Sequence, residues 1–219
     1  RFAEADLLGR YDSYQLLMEY WADTRQDDVY VLVQDGWQAG KVLRELVVKK
    51  GEKLKETPDL IIDKKKYKAD LIPPSLIVGR YFADKQEHID QLQAKLDAIS
   101  QELESLIEEH SGEEGLLSDA QTDAGKVSKA SVTARLKELK GDARAKEEVS
   151  VLKQCLTLFD QEAEAKKAVK EAQETLDKAV FAQYPKLSED AIKTLVVDDK
   201  WQATLKAAIQ AEIERVTQQ

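Results

Sequence analysis

The sequence predicts a mainly α protein: a small mixed α/β segment, then a long antiparallel helical hairpin of coiled-coil character, then C-terminal helices. Three observations carry that prediction. Charged residues make up 34% of the 219 and hydrophobic ones 42%, with only 9 Gly and 4 Pro to break helices. Ile89, Leu92, Leu96, Ile99, Leu103 and Leu106 recur at spacings of three and four, flanked by Gln, Lys, Glu and Asp, which is the pattern of a heptad seam. A second long run, Val149, Leu152, Leu156, Phe159 and Ala163, then Val169, Ala172, Leu176 and Val180, repeats the pattern with a register slip at residues 164–167. Two such helices joined by a compact insert can cover each other's stripes.

The elements follow in order. Seven of the fourteen aromatic residues lie between Phe2 and Trp37. Tyr14, Leu17, Met18 and Trp21 recur at helical spacing, so a helix is expected from Ser13, as its cap, to Thr24. The β-branched run Val29-Tyr30-Val31-Leu32-Val33, closed by Gln34-Asp35-Gly36, reads as a strand and turn. Residues 41–48 could form a helix or a strand, ended by Gly51. Leu60-Ile61-Ile62 and Tyr67 to Ile72 flank Asp63-Lys64-Lys65-Lys66, a hairpin with a charged tip.

Pro73-Pro74 opens the helical regime, because proline is tolerated in the first turn of a helix. Helix is expected from Ser75 to His110, a span of about 54 Å at 1.5 Å per residue, with Val78 and Phe82 in register and Gly112 as terminator. A short helix bearing Val132, Leu136 and Leu139 lies in the insert. Asp142 caps the second long helix, which runs to Tyr184 before Pro185. Ser188 caps a helix ending near Val197, and Asp198 caps a last one through Trp201, Leu205, Ile209 and Ile213. The expected domains are 1–72, 73–186 with the insert at 111–147, and 187–219.

Charge and composition exclude several classes. A net charge of −9 argues against broad nucleic-acid binding. Cys155 is the one cysteine, so neither an intrachain disulfide nor a cysteine-rich zinc site is possible. No apolar run approaches a transmembrane length and no signal peptide is evident, so a cytoplasmic protein with no membrane partner is expected. Opening at Arg1 with Met18 as sole methionine, the chain reads as part of a longer polypeptide.

Chemistry is sparse. His88 and His110 are too far apart on one helix to share a metal, and each reads as a solvated helix residue. Cys155, between Leu152 and Leu156, reads as a small apolar filler. Asp27-Asp28 and Asp198-Asp199 read as caps and helix-dipole partners before they read as cation ligands. Lys64, Lys65, Lys66 and Lys68, around Tyr67, could grip a DNA backbone or could keep a hairpin tip soluble. No catalytic, cofactor or metal residues are assigned. There is no G-x-G and no asparagine anywhere.

Several motifs resemble a known family. Tyr14-Gln15, Leu17-Met18-Glu19-Tyr20-Trp21, Gln26-Asp27-Asp28-Val29-Tyr30, Gln34-Asp35-Gly36-Trp37 and Lys64-Lys65-Lys66-Tyr67-Lys68-Ala69-Asp70-Leu71-Ile72-Pro73 are similar to the region after the catalytic domain in modification subunits of type I restriction-modification systems. Arg80-Tyr81-Phe82, Ile107-Glu108-Glu109-His110 and Leu195-Val196-Val197-Asp198-Asp199-Lys200-Trp201 continue the likeness in order. The resemblance implies a parent adenine-specific DNA methyltransferase subunit using S-adenosylmethionine. Two copies of such subunits join one specificity subunit, and a nuclease/translocase subunit and DNA come in through that complex. It also implies an assembly role, with helices packed on the specificity subunit. The expected interface residues are Ile89, Leu92, Leu96, Ile99, Leu103, Trp201 and Leu205. The family's glycine-rich cofactor loop and Asn-Pro-Pro-aromatic motif are missing, so neither cofactor binding nor methylation is expected of this chain alone. A free-standing coiled-coil scaffold and a DNA-backbone clamp remain the alternatives.

Overall fold

The structure is a computed structural model and describes residues 10–47, 56–112, 115–122, 125–139 and 145–217. It is mainly α, with one small sheet. Two compact units divide the chain: Arg1–Ala83 together with Glu174–Gln219, and Asp84–Gln173. The division differs from the three consecutive domains expected, because the tail returns to pack with the first segment.

In the first unit, α1 (Arg10–Tyr20) runs through a π-helical turn (Trp21–Arg25) into α2 (Gln26–Asp35). Helix is already present at Arg10, so Ser13 lies inside α1 and is not its cap. The strand expected at Val29–Val33 is corrected to helix. A β-branched residue costs a helix only about 0.5 kcal/mol, so tertiary contacts can override it, and Asp28 at the start of this run is bonded to Lys200 and Trp201 of the tail. Gly36 stops α2 at φ +68°, a left-handed angle that favours glycine. A 3₁₀ turn (Trp37–Lys41) follows.

The sheet has the order β1-β3-β2, all antiparallel, from β1 (Arg44–Glu45), β2 (Leu60–Ile62) and β3 (Lys65–Lys68). The hairpin tip is therefore Asp63-Lys64 alone, and Lys65 and Lys66 belong to β3 rather than to the turn. β3 also ends at Lys68, short of the expected Ile72. Leu71 and Ile72 leave the sheet and are buried. Gly51 lies outside the described residues. α3 (Pro74–Tyr81) then buries Ile77 completely.

The continuous helix expected over 75–110 is broken at Phe82, whose angles are φ −137° and ψ 26°. Ile77 and the two Arg80–Asp199 hydrogen bonds, 2.8 and 2.9 Å, hold α3 within the first unit, and the unit boundary falls directly after Ala83.

Closing this unit are α7 (Glu189–Lys193), a π-helical stretch (Thr194–Gln202) and α8 (Ala203–Thr217). Ser188 caps α7 as expected, its Oγ accepting from the Ala191 N–H at 3.2 Å. Asp198 is not a cap: the backbone is helical on both sides of it. Leu60, Leu71, Ile72, Ile77, Tyr184, Leu187, Ile192, Leu195 and Val196 form the buried interior. Gly40 is placed there because a Cβ would lie 2.7 Å from Ile192 Cγ2 and 3.0 Å from Ile72 Cδ1.

The second unit is built on α4 (Ala83–His110) and α6 (Lys146–Gln183), the two arms of the expected hairpin. Its core joins Leu103 and Leu106 of α4, Leu117 and Ala120 of the insert, Val132 of α5 (Lys129–Glu138), and Leu152, Cys155 and Leu158 of α6. Ser128 caps α5 reciprocally with Ser131. Asp142 lies outside the described residues. Among the described residues no helix is long and apolar enough to cross a membrane.

Candidate functional site

Two places in the structure hold chemistry worth building from the residues up. The first is a groove of about 520 Å³ in the second unit, between α4 and α6. Leu92, Lys95 and Ile99 line it from α4, and Gln161, Glu164, Ala165 and Ala168 line it from α6. Its origin is the register slip. On α6, Leu158 and Leu176 are buried, yet no residue between them is. Where a large side chain would fill the space opposite Leu92 and Ile99, the helix presents Ala165 and Ala168.

The seam of α4 divides accordingly. Ile89, Leu96 and Leu103, seven residues apart, are buried, while Leu92 and Ile99 stay half-buried over the groove. A polar link joins the two helices at residues adjacent in sequence to the lining ones. Ser100 Oγ donates to Glu162 Oε1 at 2.9 Å, and Lys166 Nζ lies 2.9 Å from Glu162 Oε2. Lys166 above all, then Ser100, holds that carboxyl below the usual range against the opposing effect of burial. The result is an apolar floor with a charged rim, which suits an apolar helix stripe bordered by polar residues.

Of the seven apolar residues expected at a partner interface, four are covered by the chain itself. Ile89, Leu96, Leu103 and Trp201 are buried, so little of their area is left to offer a partner. Trp201 also donates from Nε1 to Asp28 Oδ2 at 2.7 Å. The expected surface narrows to Leu92 and Ile99, which the groove brings together, and to Leu205, half-buried on α8 in the other unit.

The second place is the lysine-rich hairpin. Lys65 Nζ lies 3.2 Å from Glu45 Oε2, and Lys68 Nζ 2.9 Å from Asp59 Oδ1. Lys64 and Lys66 are exposed, and among the described residues neither has a carboxylate partner. The hairpin is anchored on its other face, where the Tyr67 ring packs 4.9 Å from that of Phe181.

Other candidates resolve more simply. Cys155 is fully buried in the second unit's core. His88 is exposed and His110 half-buried. Asp199 pairs with Arg80 and Asp28 with Lys200, so one member of each acidic pair is an ion-pair partner. Among the described residues no three His, Cys, Asp or Glu side chains gather as a metal site needs.

Sequence reasoning singled out Asp28 as a cap or dipole partner and missed its burial and its partners, 172 and 173 residues away. It also missed Ala165 and Ala168, although small residues within an apolar stripe were a readable sign of a gap.

No family model, curated protein or solved structure matches this chain. Four segments distant in sequence meet in the first unit: Asp28 of 26–30, Leu71 of 64–73, Arg80, and Asp199-Lys200-Trp201, joined by direct hydrogen bonds.

Proposed function

We propose that this chain is the assembly region of a type I restriction-modification methyltransferase subunit, and that it acts in the cytoplasm by packing helices against the specificity subunit. The observation that supports this most is the groove: Leu92 and Ile99 half-buried on one side, Ala165 and Ala168 on the other. A third helix laid there would cover both apolar residues and fill the space the alanines leave. Burial of that kind supplies affinity, and the Lys95 and Glu164 rim would bias register and partner.

On this reading the chain does no chemistry itself. Adenine methylation with S-adenosylmethionine belongs to other parts of the parent subunit. The nuclease/translocase subunit and DNA are reached through the complex.

The test is solution mass by light scattering, for the chain alone and mixed with its cognate specificity subunit. A stoichiometric complex, lost in Leu92→Glu/Ile99→Glu while the melting curve of the free chain is retained, is the expected result. A complex that forms equally well with the double variant would remove the groove from the reading. A self-dimer indifferent to the specificity subunit would replace the reading with a scaffold.

A further inference from the structure

The β2–β3 hairpin turns through Asp63 and Lys64, with φ of 48° and 68°. Two consecutive left-handed residues make a type I′ turn, for which Asn-Gly or Asp-Gly is the ordinary sequence. A lysine in the second place holds its backbone where L side chains are disfavoured. These are the only non-glycine residues at positive φ among those described. Strain of this sort concentrates where a particular side chain has to be presented.

Pairing divides the cations of the sheet. Arg44 is held by Glu56 and Asp70, at 2.7 and 2.8 Å, and Lys68 by Asp59. Lys65 reaches across to Glu45. Lys64 in the turn and Lys66 on β3, with the paired Lys65 between them, have no carboxylate partner among the described residues. Lys66 faces Ile61 across the ribbon, and Ile61 is 55% exposed. The protein's own acids therefore hold Arg44, Lys65 and Lys68 and leave Lys64 and Lys66, two exposed cations against the one exposed carboxylate of Asp63, without such a contact. The wider sequence agrees: residues 49–68 carry eight lysines against four carboxylates, a net +4 in a chain of −9.

We propose that this tip is a phosphate contact for duplex DNA, with Lys64 and Lys66 each neutralising one backbone phosphate. Lysine acts there as a mobile point charge, which suits a repeating polyanion better than one fixed carboxylate. Single-strand binding would need an exposed aromatic platform, and Tyr67 is already packed on Phe181. The contact reads no sequence. It rests on local charge and turn geometry alone, so it stands or falls separately from the assembly role.

The experiment is fluorescence anisotropy of the chain with a labelled duplex of arbitrary sequence, titrated from about 20 to about 150 mM KCl. The wild-type chain binds at low salt, and Lys64→Glu/Lys66→Glu weakens binding at least about tenfold and lessens the log–log salt slope by about 2. Lys64→Gly separates binding from folding: it relaxes the turn, so the melting temperature rises while DNA affinity falls. Lys65→Ala, which removes a lysine already paired, changes affinity far less. An unchanged salt slope in the double variant, an equal loss in Lys65→Ala, or no binding at the lowest salt would overturn the proposal. Displacement by poly-glutamate as effective as by unlabelled duplex would assign the tip to an acidic protein instead, and would overturn it too.

Discussion

Lys200 and Asp28 form an ion pair across 172 residues of chain, with Nζ 2.6 Å from Oδ1 and the Asp28 side chain 3% exposed. The same ammonium donates to the Leu71 carbonyl at 2.8 Å, and Trp201 Nε1 donates to the other carboxylate oxygen. Arg25 lies over the Trp201 ring at 4.7 Å. Lys200 and Trp201 are consecutive, which on an α-helix sets them about 100° apart. From a π-helical stretch both reach one carboxylate. The cluster fastens the α2 helix, the segment after the hairpin and the tail to one another.

Asp28→Ala should therefore be among the most damaging single substitutions in the chain. It leaves Lys200 little exposed and without its counter-charge, for which about 3–5 kcal/mol is the usual cost. Asp28→Asn keeps an acceptor for Trp201 and should cost less. Urea unfolding measures both. A loss under about 1 kcal/mol for the alanine variant would show that the cluster hydrates freely and is no fastener.

Gly40→Ala tests close approach in the same unit. The new Cβ meets Ile192 Cγ2 at 2.7 Å and Ile72 Cδ1 at 3.0 Å, so overpacking should cost about 1–3 kcal/mol. Ile192→Ala clears the nearest atom at its own cost in lost burial. The double variant should then be destabilised by at least about 0.5 kcal/mol less than the two single changes together. Strict additivity would place the strain elsewhere.

What could be read from the sequence was what depends on neighbours along the chain. The amphipathic stripes of α4 and α6, Ser188 as a cap and the existence of the β2–β3 hairpin all show as patterns within a few turns of backbone. Val29–Val33 misled because β-branched residues signal strand only weakly, and the contact that holds them helical, Asp28 to Lys200, is far away in sequence. Asp198 looked like a cap because an acidic residue after an apolar run resembles a helix start. Nothing local shows that the helix continues through it. For the site, Leu92 and Ile99 were visible as seam residues. Which half of the seam is covered depends on the alanines opposite, and which lysines are neutralised depends on Glu45 and Asp59.

Alkaline pH should weaken the fold through two groups. Burial pushes the Cys155 thiol above its ordinary value, and burial, then the nearby Asp59 charge, pushes the Tyr184 hydroxyl up further. When the folded pKa is the higher one, the folded state keeps its proton while the unfolded state releases it. The stability these groups contribute is thus complete below the unfolded pKa and is lost as pH climbs towards the folded one. The fall should begin near pH 8.5 for the thiol and near pH 10 for the phenol. Cys155→Ala should flatten the first part of the fall in urea midpoints measured against pH. A profile identical to wild type would mean that the thiol is not buried in solution.

Tyr184→Phe should remove the second part of that fall and carry its own cost at neutral pH. The hydroxyl donates to the Ile72 carbonyl at 2.7 Å in a buried setting. Its loss leaves that acceptor without its donor, at about 1–3 kcal/mol. A neutral substitution at pH 7 would mean that water reaches the carbonyl.

Leu96 and Leu92, one helical turn apart on α4, give the sharpest contrast between interior and surface. Leu96 is 8% exposed, whereas Leu92 is half-buried over the groove. In the free chain Leu96→Ala should cost about 2–4 kcal/mol, as a buried leucine does. Leu92→Ala should cost about 1 kcal/mol or less, since part of its side chain is already in water. On the proposed assembly role the order should reverse in binding to a specificity subunit: Leu96→Ala, if folded, should bind nearly as wild type does, and Leu92→Ala should lose affinity. Calorimetric titration of both variants decides it. Equal affinities would mean that the half-buried side of the seam is ordinary surface, and the partner's helix would have to be sought on another face.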